Sequence, residues 1–206
     1  MISQKCYIFG ALRPKELVYK PGKDDLVIAA DKGVEVLSGL GIVPDVIIGD
    51  FDSLGYTPSG KNVQVLPVVK DDTDIGYAIK YALLEGYTDF VIYGGIGGLI
   101  DHTYANIQLA AYVSKHGGRA IFVGDDYYVT AITDNSIHLK GESKRISVFA
   151  ADTKVSGVTV KGLKYELENA ELKSSFPLGV SNEFIGKDAN ISVKSGTLII
   201  MTQTKI

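Results

Sequence analysis

Short β-branched runs alternate with segments of helical period over the first 126 residues. Residues 26–30, 45–48, 63–69, 90–93 and 120–123 are compact apolar runs rich in Val and Ile, the pattern of strands buried on both faces. Between them, residues 32–40 read as a short helix closed by Gly41. Ile75, Ala78, Ile79, Ala82 and Leu83 recur at helical spacing, and Gly86 closes that helix. A third helix is predicted from about residue 101 to residue 115, stopped by Gly117-Gly118. Strands alternating with helices require right-handed crossovers, so the expected core is a doubly wound, mostly parallel sheet with both faces covered.

The period changes after Gly124-Asp125-Asp126. Residues 127–133, 137–139, 145–150, 155–160, 190–193 and 197–202 are strand-like, separated by Gly, Asn, Asp and Ser, and no helical period remains. Short strands at this spacing predict a small antiparallel β-sandwich. The expected organisation is therefore an α/β domain over residues 1–126 and a β-sandwich over residues 127–206.

Composition narrows the function classes. The 206 residues are 46% apolar and 22% charged, the balance of an ordinary globular protein. A single cysteine, Cys6, excludes an intrachain disulfide and a cysteine-built zinc site, and its apolar surroundings mark it as a core residue. Three histidines (His102, His116 and His138) are too few for a histidine-built metal centre, and His102 reads as a structural neighbour of the site described below. The longest nearly apolar run, residues 90–100, has 11 residues and four glycines, against the ~20 that a bilayer helix needs. No basic leader precedes the first apolar run, so no secretory signal and no membrane partner are expected, and a cytoplasmic location is.

Charge is unevenly spread. Residues 1–126 carry 16 acids and 11 bases, and residues 127–206 carry 8 and 10. The acidic N-terminal part has no basic stripe with interleaved aromatics, which argues against a nucleic-acid partner. Thirteen of those 16 acids are Asp, a residue suited to caps, turns and compact oxygen sites rather than to helix surfaces.

Two nucleotide motifs nearly match. Gly55 to Lys61 follows most of the phosphate-loop pattern, but Asn62 stands where a magnesium-binding Ser or Thr belongs, and a strand follows where a helix should begin. That match is rejected. Gly95-Ile96-Gly97-Gly98 sits between a strand and a helix, but Ile100 occupies the place of the third glycine of a dinucleotide fingerprint. The turn is read either as a flexible crossover or, preferentially, as a phosphate contact through backbone N–H groups ahead of a helix.

The aspartates carry the stronger signal. Gly49-Asp50-Phe51-Asp52-Ser53 follows one predicted strand, and Lys70-Asp71-Asp72-Thr73-Asp74 follows another and opens a helix. Asp101-His102 opens the next helix, and Asp31 closes a further strand. Residues at the carboxyl ends of parallel strands share one edge, where ligands bind. Asp74 and Asp101 taken singly are ordinary helix caps. Asp50 and Asp52 taken together repel each other unless a cation is present, and Asp74 and Asp101 add to that repulsion. An all-oxygen set suits magnesium, which takes a few carboxylates and completes its shell with water and phosphate oxygens. The residues thus point to a metal with a phosphate, without naming a reaction.

Taken in order, these segments resemble the thiamine pyrophosphokinase family. The resemblance rests on Asp31-Lys32-Gly33, the stretch from Pro44 to Ser53, Lys70 to Asp74, Gly94 to Gly98 with Asp101, His102 and Asn106, and Gly179 to Phe184. It implies a doubly wound N-terminal domain, a C-terminal β-sandwich and a homodimer. It also implies transfer of a pyrophosphoryl group from ATP to the thiamine hydroxyl, giving thiamine pyrophosphate and AMP. By position, Asp50, Asp52 and Asp74 would hold Mg2+ against the triphosphate, with Asp101 lining the same crevice as a fourth catalytic carboxylate. Lys70 would neutralise phosphate charge, joined by Asp31, Asp71, Thr73, Gly95, Gly97, Gly98 and Asn106 on the nucleotide side, while Ser181 and Asn182 would face thiamine near a partner subunit. The family commonly carries Arg where this chain has Leu99, which removes a bidentate phosphate ligand. Two other readings remain: a nucleotide-sugar transferase using Asp50-Phe51-Asp52 as its D-x-D motif, and a non-catalytic nucleotide- or thiamine-binding protein.

Overall fold

The computed structural model describes residues 4–69, 71–141 and 144–206. It contains two compact units. One comprises the chain up to Asn106 with Phe122–Asp125, and the other comprises Ile107–Ile121 with Asp126–Ile206.

The first unit is the doubly wound part. Its strands are β1 (Cys6–Phe9), β2 (Leu26–Ala30), β3 (Val46–Gly49), β4 (Val63–Val65) and β5 (Asp89–Tyr93), with helices α1 (Gly33–Leu40) and α2 (Asp74–Leu84). The strands lie in the order β4-β3-β2-β1-β5, and among the described residues each neighbouring pair is parallel. Their residues are apolar on both faces because helices cover the sheet; Ile8, Ile28 and Ile92 are wholly buried. Thr73 starts α2, its hydroxyl accepting the Gly76 N–H at 3.0 Å. The predicted strand over residues 63–69 ends early. Leu66 N–H still donates to Gly49 O at 2.8 Å, but Pro67 has no N–H to continue the ladder.

Cys6 lies on β1, fully buried as expected, and burial pushes its thiol pKa far up, so it is no nucleophile. Helix α3 (Ile100–Lys115) and strand β6 (Arg119–Val123) follow.

The second unit holds β7 (Tyr128–Thr133), β8 (Ser136–Leu139), β9 (Arg145–Ala150), β10 (Lys154–Lys161), β11 (Leu167–Lys173), β12 (Gly179–Glu183), β13 (Ala189–Ser192) and β14 (Thr197–Thr202). Antiparallel pairing gives one layer ordered β12-β9-β14-β7 and another ordered β11-β10-β13-β8. Ile146, Val148, Leu198 and Ile200 from the first layer join Val155, Val158, Val160 and Ile191 from the second in one core, which makes the unit a sandwich. Among the described residues, no helix is long and apolar enough to cross a membrane.

Candidate active site

The order of the parallel strands places the site. From β1 the chain moves outward through β2, β3 and β4, then returns to put β5 on the other flank of β1. The crevice at the carboxyl ends of β1 and β5 is therefore a topological switch point. A cavity of about 440 Å³ opens there.

The residues that follow each strand supply its walls. Gly10, Ala11 and Leu12 come after β1, Asp31 and Lys32 after β2, Asp50 and Ser53 after β3, and Gly94, Gly95, Gly97 and Leu99 after β5. Val68, Asp72, Thr73, Asp74 and Ile75 come from the approach to α2 and its first turn, and His102 and Asn106 from α3. The loop after β1 is tied down by two tyrosines. Tyr93 Oη donates to Tyr19 O and accepts from Tyr19 N–H, both at 2.8 Å, while Tyr7 Oη donates to Lys20 O at 3.0 Å. Gly94 is required where that loop meets the turn after β5. Its φ is +73°, and an added Cβ would lie 2.6 Å from Leu12 O.

Two aspartate-bearing turns are strained, as functional turns often are. Asp31 has φ +48° and Phe51 has φ +59°. Phe51 is buried and anchors its turn, so Asp50 faces the cavity while Asp52 stands exposed. The Asp52 N–H donates to Asp50 Oδ1 at 3.2 Å. Ser53 Oγ donates to Asp31 Oδ2 at 2.6 Å, which fixes that carboxylate. Its other oxygen, Asp31 Oδ1, is buried and receives no hydrogen bond among the described residues. The same holds for Asn106 Oδ1, because Asn106 turns its amide nitrogen to Gly95 O at 2.7 Å. Two buried acceptors in one cavity call for a donor or a cation from a ligand.

The cavity thus gathers Asp31, Asp50, Thr73, Asp74, Gly95, Gly97 and Asn106 from the residues marked in the sequence. Thr73 spends its hydroxyl on capping α2. Asp52, Asp71, Gly98 and Asp101 are not on its lining, and all four are exposed. Lys70 lies outside the described residues. In the second unit, Ser181 is exposed with φ +58°, its N–H donating to Ser147 Oγ at 3.0 Å. Asn182 is buried and clamps the Tyr165 backbone, accepting from its N–H at 3.0 Å and donating to its carbonyl at 2.7 Å.

Several lining residues escaped the sequence reading. Asp72, paired with Lys80 at 2.6 Å, reaches the cavity where Asp71 does not. Adjacent aspartates in a loop have no period from which to choose between them. His102, read as structural, lies on the cavity wall, and Leu12 and Val68 arrive from loops whose paths no local pattern encodes.

The oxygen-only donor set fits a hard cation. Among the described residues, no group of three or more His, Cys, Asp or Glu side chains is arranged to hold a metal. Magnesium commonly takes only one or two carboxylates and completes its shell with phosphate oxygens and water, so Asp50 and Asp74 facing one cavity with two unsatisfied oxygens are compatible with it.

Comparison with known proteins gives concordant results. The family model for "Thiamin pyrophosphokinase, catalytic domain" matches residues 22–122, and that for "Thiamin pyrophosphokinase, vitamin B1 binding domain" matches residues 134–198. The chain is 29% identical over 187 residues to a thiamine pyrophosphokinase of Bacillus subtilis, covering 87% of each sequence. It is 26% identical over 189 residues to thiamin pyrophosphokinase 1 of Caenorhabditis elegans, covering 85% of this chain and 77% of that one. A crystal structure of the thiamine pyrophosphokinase from Bacillus subtilis superposes with a TM-score of 0.84 at 26% identity, over 98% of this chain and 100% of that one.

Proposed function

Because the chain belongs to the thiamin pyrophosphokinase family, enzymes that transfer pyrophosphate to thiamine, we propose that ATP is its donor, that Mg2+ accompanies the triphosphate, and that AMP leaves. The observation that carries this reading is the meeting of Asp50, Asp74 and the unsatisfied oxygens of Asp31 and Asn106 in one switch-point cavity. Its volume of about 440 Å³ falls within the range of small-molecule sites.

In this reading the thiamine hydroxyl oxygen attacks the β-phosphorus, the bond from that phosphorus to the α,β-bridging oxygen breaks, and AMP departs with the bridging oxygen. The hydroxyl proton passes to a base. Transfers of this kind ask little covalent work of a protein and much alignment and charge cancellation. Asp50 and Asp74, with Asp52 from the same turn as Asp50, would hold the cation. A magnesium ion held there would supply neutralisation of the phosphate charge. Ser53 keeps the Asp31 carboxylate oriented toward the cavity. Lys70 and Lys32 would offset phosphate charge, and Asp101, next to the lining residue His102, completes the proposed acidic set.

On the acceptor side we assign the segment of Ser181 and Asn182 to thiamine recognition in a homodimer. Support comes from β12, which lies at the end of its layer, and from the exposed apolar side chains of Val180 on it and of Phe176 and Leu178 just before it. The α/β part is proposed as the nucleotide domain, the sandwich as the thiamine-side domain, and the cytoplasm as the location, in keeping with one reduced, buried thiol.

The test is direct. The purified chain incubated with ATP, magnesium and thiamine is expected to yield AMP and thiamine pyrophosphate in equal amounts, and chelation with EDTA is expected to stop both. ADP as the product, or binding of ATP without turnover, would overturn the assignment.

A further inference from the structure

The cavity has two unlike walls. Asp31, Asp50, Asp72 and Asp74 stand on one, and Leu99, His102 and Asn106 on the other, which is built by the turn after β5 and by α3. A polyphosphate placed between them meets the acidic wall through a cation. The far wall must offer hydrogen-bond donors to its remaining oxygens.

Several donors on that wall are already committed. The Gly97 N–H donates to Thr103 Oγ1 at 3.1 Å, and that hydroxyl lies 2.9 Å from Gly97 O and 3.0 Å from Leu99 O. The His102 N–H donates to Asp101 Oδ1 at 2.8 Å, and the Thr103 N–H to Leu99 O at 3.0 Å. These bonds tie the glycine turn to the start of α3 and take the Gly97 N–H out of reach of an anion. Leu99 brings no polar side-chain atom. Asn106 gives its amide nitrogen to Gly95 O and turns an acceptor, not a donor, inward. Among the side chains of that wall, the imidazole of His102 remains as a donor. It is exposed on the lining and makes no hydrogen bond or ion pair among the described residues. Among the described lining residues, Lys32 is the one other side chain that can carry positive charge, and it comes from the opposite side, at the start of α1.

We propose that His102 is the side-chain phosphate contact of the α3 wall, donating an imidazole N–H to an oxygen of the triphosphate. This deepens the reading of the cavity as an ATP site and rests on it. It also narrows the part expected of the glycine turn, because the Gly97 N–H is spent on Thr103 Oγ1.

The test uses inorganic tripolyphosphate and adenosine as competitive probes against ATP, in magnesium, on the full chain. His102→Phe keeps the ring and removes the donor; His102→Gln keeps a donor. We expect His102→Phe to weaken inhibition by tripolyphosphate about tenfold, the scale of one hydrogen bond to a charged group. Inhibition by adenosine and the KM for thiamine should change less than about twofold, and His102→Gln should recover most of the loss. Tripolyphosphate inhibition unchanged in His102→Phe would overturn the proposal. So would a parallel weakening of both probes, the mark of a merely structural role. If wild-type enzyme forms AMP but tripolyphosphate does not compete with ATP, the contact fails while the assignment of the reaction stands. If wild-type enzyme forms no AMP, the parent reading fails and takes this one with it.

Discussion

Alanine at position 50 is expected to lower turnover by about 10²–10³-fold, the usual cost of removing one preorganised electrostatic group from a reacting site. Asp50 follows β3, is turned to the cavity by the buried Phe51, and faces the same space as Asp74. Its loss takes a carboxylate from the proposed cation site and is expected to leave the sheet intact, because Asp50 is only half-buried and lies beyond the last residue of β3. Removing one of several neighbouring like charges also relieves repulsion. The melting temperature should therefore move by no more than about 2 °C, roughly 0.5–1 kcal/mol for a chain of this size. Steady-state kinetics in saturating ATP, thiamine and magnesium, with a thermal melt of the same sample, checks both halves. Turnover near that of the wild type would remove Asp50 from the mechanism.

The second large effect is on the fold that carries the site. Gly33 opens α1, and a Cβ there would sit 1.7 Å from Phe9 O and 2.6 Å from Phe9 C, at the end of β1. No rotamer change relieves a clash with backbone. Gly33→Ala must push α1 off β1, displacing Asp31, two residues upstream, and Gly10, directly after Phe9. A loss of about 3 kcal/mol is expected, seen as a fall in melting temperature of roughly 6–12 °C, with activity lost in parallel. Gly41→Ala is the control. Its φ is +69° but nothing lies within 4 Å of the added carbon, so it should cost only about 1 kcal/mol of backbone strain. Equal melting temperatures for the two variants would show that α1 does not sit on β1 as described.

Both predictions depend on features of different legibility. The parallel half was readable because its strands are short apolar runs between segments of helical period, and a strand buried on both faces leaves no ambiguity of side. For the same reason the aspartates ending β2 and β3 could be placed on one edge before any coordinates. β11 could not be read. Its apolar residues Leu167, Ala170 and Leu172 are spaced three and then two apart, because the ladder with β10 shifts register and Asn169 takes φ +49°. A bulge hides the period that reveals a strand. β12 could not be read either, because four of its five residues lack large apolar side chains and its register also shifts, between Gly179 and Asn182. At the site, the strand ends were legible and the loop paths were not. Which of Asp71 and Asp72, or Asp101 and His102, turns inward is decided by local hydrogen bonds such as His102 N–H to Asp101 Oδ1.

The central claim is that the crevice beyond β1 and β5 holds a cation-bound triphosphate between Asp50 and Asp74. Its most direct test is a crystal grown with manganese and α,β-methylene-ATP, which blocks cleavage at the bond in question. The account predicts an anomalous manganese peak touching the Asp50 and Asp74 carboxylates, with phosphate oxygens completing its shell. Manganese and triphosphate bound together elsewhere on the protein, with this cavity holding neither, would contradict it.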